Sequence, residues 1–243
     1  ALNYLYRNFS GNFSNDVYIH GQSHKGSTYN VARILAEKLK GEITEIFLPR
    51  DFGEFCVGCT KCFGETETLC PHYEKLRPIT EVIDNADVMI FASPVYVYHS
   101  TGAMKALLDH YGYRWMVHRP HEDMFKKQGV CISTAAGAGM KSTNKDMSDS
   151  LFFWGVAKIY KLGFAVQEVS YERVNDKIKQ KIDKKTTCIA NKILKRNEKI
   201  KPGIKTRIFF NVMRMMQKNG WNEADVNYWK EKGWDKKARP WKD

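Results

Sequence analysis

The chain has 243 residues and a mass of 28.2 kDa, which fits one large domain or one domain with an appended arm. It is 43% hydrophobic and 27% charged, a globular composition that excludes a wholly disordered or collagen-like chain. No apolar run approaches the roughly 20 residues that span a bilayer, and the first residues lack the pattern of a secretory signal. We therefore expect a cytoplasmic protein.

The positive charge is concentrated at one end of the chain. Residues 1–170 contain 18 Lys and Arg against 18 Asp and Glu, whereas residues 171–243 contain 21 against 9, so 21 − 9 = +12. The whole net charge of +12 thus belongs to a C-terminal arm. A neutral body with a basic arm differs from a uniformly basic nucleic-acid binder, and we expect no nucleic-acid partner.

Strand-like and helical apolar patterns alternate through the body of the chain. Strands are predicted at Val17–His20, Ile43–Phe47, Asp87–Ala92, Gly129–Ser133 and Phe164–Val169. Helices are predicted between them at Thr28–Leu39, Pro78–Asn85, Ala103–His110 and Lys145–Leu162. This alternation indicates a parallel α/β sheet with crossover connections.

The alternation stops after Asn175. Beyond it, the sequence predicts a long basic helix at Asp176–Asn197, a second helix at Ile204–Lys218 and a short helix capped by Asn222. We expect a domain at residues 1–174 and a basic helical extension at residues 175–243.

Three loops follow predicted strands and are rich in Gly, Ser, Thr or Pro: Gly21–Thr28, Ser93–Thr101 and Ser133–Gly139. In an open α/β sheet, ligands bind beyond the carboxyl ends of the strands, so these loops are the candidate binding site. Each loop alone also fits an ordinary connection between a strand and a helix.

The first loop directly opens a helix, where backbone amides and hydroxyls attract anions. Its glycine spacing is that of a P-loop, but Ser27 replaces the lysine that holds a triphosphate. A single phosphate needs only amides and the hydroxyls of Ser23, Ser27 and Thr28. The second loop has an apolar, aromatic wall suited to a flat heteroaromatic ring, and the small residues of the third allow close backbone approach.

These loops, together with the run from Ser93-Pro-Val-Tyr to Lys105-Ala-Leu-Leu-Asp109, resemble the NADPH-dependent FMN reductase family of flavodoxin-like proteins. The resemblance covers about residues 16–170 and implies a doubly wound five-stranded parallel sheet of order 2-1-3-4-5. It also implies bound FMN, NAD(P)H as cosubstrate, and a homodimer or homotetramer. Two departures from many relatives are Gln22, in place of Ser, and His24, in place of Arg.

The resemblance assigns the cofactor-binding residues. For the FMN phosphate these are Ser23, His24, Gly26, Ser27 and Thr28. For the isoalloxazine ring they are Pro94, Val95, Tyr96 and Val97 on one side and Thr134, Ala135, Ala136, Gly137 and Gly139 on the other.

The flavin carries the chemistry in such an enzyme, so no catalytic side chain is assigned. Reducing equivalents pass from the nicotinamide to a flavin, a quinone or another small-molecule electron acceptor. The alternatives are a non-enzymatic electron-transfer flavoprotein and a scaffold that binds no cofactor. Three histidines near the second loop, His99, His110 and His118, are candidates for acceptor contacts or plain structural residues.

Four of the six cysteines lie close together in the sequence: Cys56, Cys59, Cys62 and Cys70, the last followed by proline. The run resembles the bacterial ferredoxin pattern except for its longer last gap, and also the iron–sulfur flavoprotein branch of the same superfamily. It predicts [4Fe–4S] ligands, shielded by Phe52, Phe55 and Phe63. Zinc and free thiols are the alternatives.

The basic arm carries four of the six tryptophans: Trp221, Trp229, Trp234 and Trp241. The predicted helix Ile204–Lys218 has an apolar side and basic residues elsewhere, a pattern compatible with peripheral contact to an anionic membrane. Packing on the parent domain or on a neighbouring subunit is the interpretation we favour.

Overall fold

Five parallel strands form the centre of the protein in the computed structural model, which describes residues 15–196 and 200–242. The strands are β1 (Asn15–His20), β2 (Glu42–Phe47), β3 (Val88–Pro94), β4 (Gln128–Ala135) and β5 (Lys158–Ala165). They pair in the order β2-β1-β3-β4-β5, and every pair is parallel. The predicted doubly wound topology is thereby confirmed.

The helices of the described residues are α1 (Ser27–Leu39), α2 (Lys61–Gly64), α3 (Tyr73–Asn85), α4 (Gly102–His110), α5 (Met140–Phe153), α6 (Asp176–Leu194), α7 (Ile204–Lys218) and α8 (Glu223–Glu231). They cover both faces of the sheet because successive side chains of a buried strand point to opposite faces. In β3, Met89 and Phe91 face the core beneath α3, α4 and α5, whereas Val88 and Ile90 face α1 and α6.

The fifth strand begins earlier than the sequence predicts. The predicted helix Lys145–Leu162 is wrong beyond Phe153, and the predicted strand Phe164–Val169 starts too late. Gly155 has a φ of +93°, which ends the helical run and turns the chain back toward β4. Within β5, Tyr160, Leu162 and Phe164 are buried at alternate positions, a period-2 pattern that the helical interpretation overlooked.

Three other helix boundaries differ from prediction. Helix α5 begins at Met140, before the predicted start at Lys145. Helix α3 begins at Tyr73 and holds Pro78 in its interior, so the proline does not mark the first turn. Helix α6 ends at Leu194, and the predicted end at Asn197 lies outside the described residues.

The helical C-terminal extension packs on the body of the protein. Ile182, Ala190 and Ile193 of α6 join the core around α1, and Lys38 Nζ donates to Asp183 Oδ1 at 2.6 Å. Helices α7 and α8 enclose a third apolar cluster against Phe125, whose members are Met116, Phe125, Phe210, Met213, Trp229, Trp234 and Trp241.

The opposite side of α7 exposes Ile204, Ile208 and Met215. None of the described helices combines the length and the apolar character that crossing a membrane requires.

Candidate functional site

The loops after β1, β3 and β4 meet at the carboxyl edge of the sheet. Thr101 joins the first two, because its hydroxyl donates to the Gly21 carbonyl at 2.6 Å and its backbone N–H donates to Ser93 Oγ at 3.0 Å. Gly139 joins the second and third loops by close packing. A Cβ at Gly139 would lie 2.5 Å from Val95 Cγ1, and its φ is +93°, so glycine is required there.

These loops enclose a cavity of about 350 Å³. Its lining comes from four strand ends: Gln22, His24, Ser27, Thr28, Pro94, Val95, Tyr96, Thr134, Ala135, Ala136, Val166, Gln167, Glu168 and Val169. Apolar walls with a few convergent hydroxyl and backbone groups are typical of cofactor sites, and the volume lies in their usual range.

Helix α1 points its N-terminus into this cavity. Its N-cap is Gly26, which offers no side-chain cap to the first amides of the helix, and amides in this position attract anions. The Thr28 hydroxyl lies 2.6 Å from the Thr134 hydroxyl, so each can donate to the other or to a ligand. The start of α1 and the end of β4 therefore present hydrogen-bond donors at the cavity wall.

The segment after β5 already uses part of that donor set. The Ser27 N–H donates to the Val169 carbonyl at 2.9 Å, and its hydroxyl donates to the Glu168 carbonyl at 2.7 Å. A phosphate bound to Ser27 would have to replace these two carbonyl oxygens. The donors present fit a phosphate, provided that the backbone at Glu168 and Val169 moves.

The structure brings nine of the predicted cofactor residues into the cavity lining: His24, Ser27, Thr28, Pro94, Val95, Tyr96, Thr134, Ala135 and Ala136. The other five do not line it: Ser23, Gly26, Val97, Gly137 and Gly139. Ser23 donates its hydroxyl to the Leu48 carbonyl at 3.3 Å, and Val97 is 94% exposed.

Val97 is exposed because the second loop folds into a tight turn. Tyr96 and His99 exchange backbone hydrogen bonds of 2.9 Å, and the two residues between them, Val97 and Tyr98, have positive φ. Tyr96 faces the other way, and its hydroxyl donates to Gln22 Oε1 at 3.2 Å. This turn leaves Pro94, Val95 and Tyr96 as the wall of the cavity.

Sequence reasoning missed the fourth wall, residues 166–169, and also Gln22. The sequence could have indicated this wall, because the loop after the fifth parallel strand must lie at the same edge of the sheet as the loops after β1, β3 and β4. Placing the fifth strand at Phe164–Val169 assigned these residues to the strand itself and hid them.

Two histidines near the second loop are held by acidic partners. His99 Nδ1 lies 3.1 Å from Asp146 Oδ2, and His118 Nδ1 lies 2.7 Å from Asp225 Oδ2. Neither side chain lines the cavity.

The cysteine segment, residues 48–72 between β2 and α3, follows the neighbouring strand end. Its four cysteines are free, with Cys56 and Cys59 exposed and Cys62 and Cys70 partly buried. Burial, and then the neighbouring thiols of Cys70, Cys56 and Cys59, raise the pKa of Cys62 to about 11. The other three thiols thus lie within electrostatic range of Cys62, but among the described residues no three of the four come within 4.8 Å of one another.

The predicted aromatic shield around the cysteines forms only in part. Phe52 is buried in the core and Phe63 packs against it, whereas Phe55 is 70% exposed. The donor set fits iron–sulfur ligation in its chemistry, with two of the thiols on the open side of the segment.

Residues from distant parts of the chain hold the cysteine segment in place. Arg119 donates to the backbone carbonyls of Cys62 and Phe63, and Asn222 donates to the Phe63 carbonyl at 3.1 Å. Arg119 is itself paired with the fully buried Asp225 at 2.6 Å, which joins the C-terminal extension to α2.

The strand order and the helices on both faces of the sheet define a flavodoxin-like fold. The chain belongs to the NADPH-dependent FMN reductase family, whose family model matches residues 17–170.

Membership of this family makes the chain a flavin-dependent oxidoreductase. Comparisons with known proteins found one relative by sequence and several solved structures of similar fold. The chain is 27% identical over 204 residues to an iron-sulfur flavoprotein from Archaeoglobus fulgidus, covering 79% of this chain and 84% of the relative. An azoreductase from Bacillus anthracis has a TM-score of 0.56 at 11% identity, over 74% of this chain and 100% of that one. An NAD(P)H:quinone oxidoreductase from Methanothermobacter marburgensis has a TM-score of 0.54 at 17% identity, over 73% and 96% of the two chains. The two solved structures establish likeness of fold.

Proposed function

We propose that this chain is an FMN-dependent NAD(P)H oxidoreductase that passes reducing equivalents from a nicotinamide to a flavin, a quinone or another small acceptor. The observation that carries the proposal is the cavity at the carboxyl ends of β1, β3, β4 and β5, with the N-terminus of α1, which has no side-chain cap, at its wall. Membership of the FMN reductase family supports the same function.

The residues around the N-terminus of α1 would hold the FMN phosphate. Ser27 and Thr28 supply hydroxyls beside the helix amides, and the partial positive charge of the helix end favours an anion there. His24 lines the same side of the cavity. No lysine stands in the loop position that a triphosphate requires, so a monophosphate is the favoured occupant.

The apolar walls would hold the ring system. Pro94, Val95 and Tyr96 of the second loop and Ala135 and Ala136 of the third loop line the cavity. Small side chains in the third loop leave backbone groups accessible, and the apolar walls limit the entry of water. Bound FMN would supply hydride acceptance and donation, and the protein would supply orientation and electrostatics.

Replacement of both hydroxyls at the start of α1 tests the proposal. Ser27→Ala with Thr28→Ala removes two donors to a charged group, worth about 1.5–3 kcal/mol each, so FMN should bind at least about tenfold more weakly. Thr187→Ala is the control, because this exposed residue of α6 does not line the cavity and its hydroxyl accepts a hydrogen bond from Lys38. FMN affinity is measured by quenching of flavin fluorescence, and an unchanged affinity in the double variant contradicts the phosphate assignment.

Steady-state oxidation of NADH and NADPH tests the reaction itself. With a quinone or free flavin as acceptor, an oxidoreductase turns over repeatedly, whereas an electron carrier shows little turnover without a separate reductase. Comparing the two nicotinamides under the same conditions also decides which one the enzyme prefers.

The cysteine segment favours a second candidate, a non-enzymatic electron-transfer flavoprotein with a [4Fe–4S] cluster on Cys56, Cys59, Cys62 and Cys70. The specific observation is that all four cysteines belong to one segment between β2 and α3, which follows a strand end at the same edge of the sheet as the cavity loops. The similarity to an iron-sulfur flavoprotein supports it as well. Anaerobically purified protein would then contain iron and inorganic sulfide beside FMN, and Cys59→Ser would lose the iron while retaining FMN.

A further inference from the structure

Three metal-ligating side chains converge at the end of the cysteine segment, away from the cavity. The Sγ of Cys70 and ring nitrogens of His72 and His110 all lie within 4.8 Å of one another. It is the one group of at least three such side chains found among residues 15–196 and 200–242. Cys70 and His72 immediately precede α3, and His110 is the last residue of α4, so the tertiary structure assembles the group.

His110 is oriented as a metal ligand would be. Its Nδ1 lies 2.7 Å from the Ala106 carbonyl, one turn earlier in α4. Since a carbonyl only accepts hydrogen bonds, Nδ1 carries the hydrogen and Nε2 presents a lone pair. The imidazole is 5% exposed and packs against the edge of Phe52, so its orientation is firmly held. A ligand histidine that donates its other N–H to a backbone carbonyl is the usual outer-shell arrangement.

His72 faces that lone pair. Its Nδ1 lies 2.9 Å from His110 Nε2, and its Nε2 lies 3.8 Å from Glu54 Oε2. In the neutral, metal-free pair, Nδ1 must donate to His110, which leaves Nε2 without a hydrogen toward the Glu54 carboxylate. A cation bound by Nδ1 reverses this, because Nε2–H then points toward the carboxylate. Glu54 therefore lies on the side of His72 where the outer-shell acceptor of a ligand histidine is usually found.

We propose that Cys70 Sγ, His72 Nδ1 and His110 Nε2 bind one divalent ion of the zinc class, with the fourth position open to water. One thiolate and two imidazoles are borderline-soft donors, which select zinc or a similar ion over magnesium or calcium. Bond lengths of about 2.0–2.3 Å in a tetrahedron place ligand atoms about 3.3–3.8 Å apart. The two rings therefore need to separate by only about half an ångström. Binding converts the Cys70 thiol to a thiolate and releases its proton to solvent.

This site and an iron–sulfur cluster on all four cysteines exclude each other, because both use Cys70 as a ligand. A zinc-class ion needs Cys70 with the two histidines and leaves Cys56 and Cys59 as exposed thiols. A cluster needs Cys59 and neither histidine. The zinc-class site is therefore compatible with an FMN-dependent oxidoreductase that has no iron–sulfur cluster. Metal analysis of the purified protein distinguishes the zinc-class site from the cluster.

Metal titration of chelator-treated full-length protein tests the site. Zn²⁺ should bind at one equivalent per chain, and Co²⁺ in its place should show the near-ultraviolet charge-transfer band of a cobalt–thiolate bond. His72→Ala and Cys70→Ser should each weaken Zn²⁺ binding at least about 100-fold, since even outer-shell changes cost 10–100-fold. Cys59→Ser is the matched control and should bind Zn²⁺ as the wild type does.

Two results would overturn the assignment. One is equal Zn²⁺ affinity in wild type and His72→Ala, or Co²⁺ binding without the thiolate band, either of which marks adventitious binding. The other is iron and sulfide in anaerobically purified protein that are lost in Cys59→Ser and kept in His72→Ala. Far-ultraviolet circular dichroism of each variant checks that it is folded. FMN absorbance, measured separately, reports on the proposed oxidoreductase function, so failure of one proposal is distinguishable from failure of the other.

Discussion

The cavity loops and the cysteine segment both follow carboxyl ends of strands, but they are held in different ways. The first cavity loop is residues 21–26, a short connection whose ends are fixed by β1 and α1. The cysteine segment runs from residue 48 to residue 72 with one four-residue helix, α2, inside it. Its position depends on Arg119, Asn222 and Asp225, which lie far away in the sequence.

The difference separates two ways of building a site. A short connection between regular elements is placed by the elements themselves, since few conformations close the gap. A long segment has too many conformations for its ends to decide, so distant side chains must satisfy its backbone carbonyls. Changes at the C-terminal extension should therefore reach the cysteines and spare the cavity, and changes at the loop contacts should do the reverse.

The largest effect is expected from Asp225→Ala. It leaves the guanidinium of Arg119 buried without its partner, and breaking such a pair costs about 3–5 kcal/mol of unfolding free energy. Urea unfolding measures that loss, and the reaction of a thiol reagent with Cys62 should become faster as α2 loosens. Glu122→Ala removes an exposed pair with Lys232 and should cost less than about 1 kcal/mol. Equal losses in the two variants would show that Asp225 is not the link between the regions.

His20, at the carboxyl end of β1, should make the stability of the protein depend on pH. Burial lowers the pKa of this histidine to about 4 from an ordinary value of 6.5. Between these values the unfolded chain binds a proton that the folded chain does not. The free energy of unfolding therefore decreases as the pH is lowered from 6.5 to 4, by up to about 3 kcal/mol. Above pH 6.5 the histidine is neutral in both states, and this contribution to the pH dependence disappears.

His20→Gln removes that titration. The free energy of unfolding of the variant should fall less steeply between pH 6.5 and pH 4 than that of the wild type. A remaining slope is expected, because burial also lowers the pKa of His110 and of His121. Identical slopes in variant and wild type would mean that His20 does not titrate differently in the folded state.

Gly139→Ala should separate the second and third loops. The new Cβ would lie 2.5 Å from Val95 Cγ1 and the residue would keep a positive φ, so we expect a cost of about 1–3 kcal/mol. FMN binding should weaken with it. Gly137→Ala is the matched control, since no atom lies within 4 Å of its added Cβ. The thiol reactivity of the cysteine segment should stay unchanged in both variants. A change in that reactivity would show that the cavity loops and the cysteine segment are not held independently.

The smallest effect is expected from Asn222→Ala, which removes the N-cap of α8 and the hydrogen bond to the Phe63 carbonyl. Loss of a cap costs about 1 kcal/mol. Asn175→Ala removes the comparable cap of α6, which has no hydrogen bond to the cysteine segment in the described structure. Both variants should lose similar stability in thermal unfolding, and only Asn222→Ala should raise the reactivity of Cys62. Raised reactivity of Cys62 in both variants would show that the effect comes from a general loss of stability and not from the hydrogen bond to Phe63.

The sequence by itself determined the alternation of strands and helices, the sheet order through family resemblance, and nine of the residues that line the cavity. These features follow from local periodicity and from the rule that parallel strands share one carboxyl edge. Only the tertiary structure decided where β5 begins, because a stretch with both helical and alternating apolar positions is resolved by pairing with β4. It also decided that residues 166–169 contact Ser27 and that His110 lies beside His72 and Cys70. Such contacts join residues distant in the chain, and no local pattern encodes which distant groups a folded core brings together.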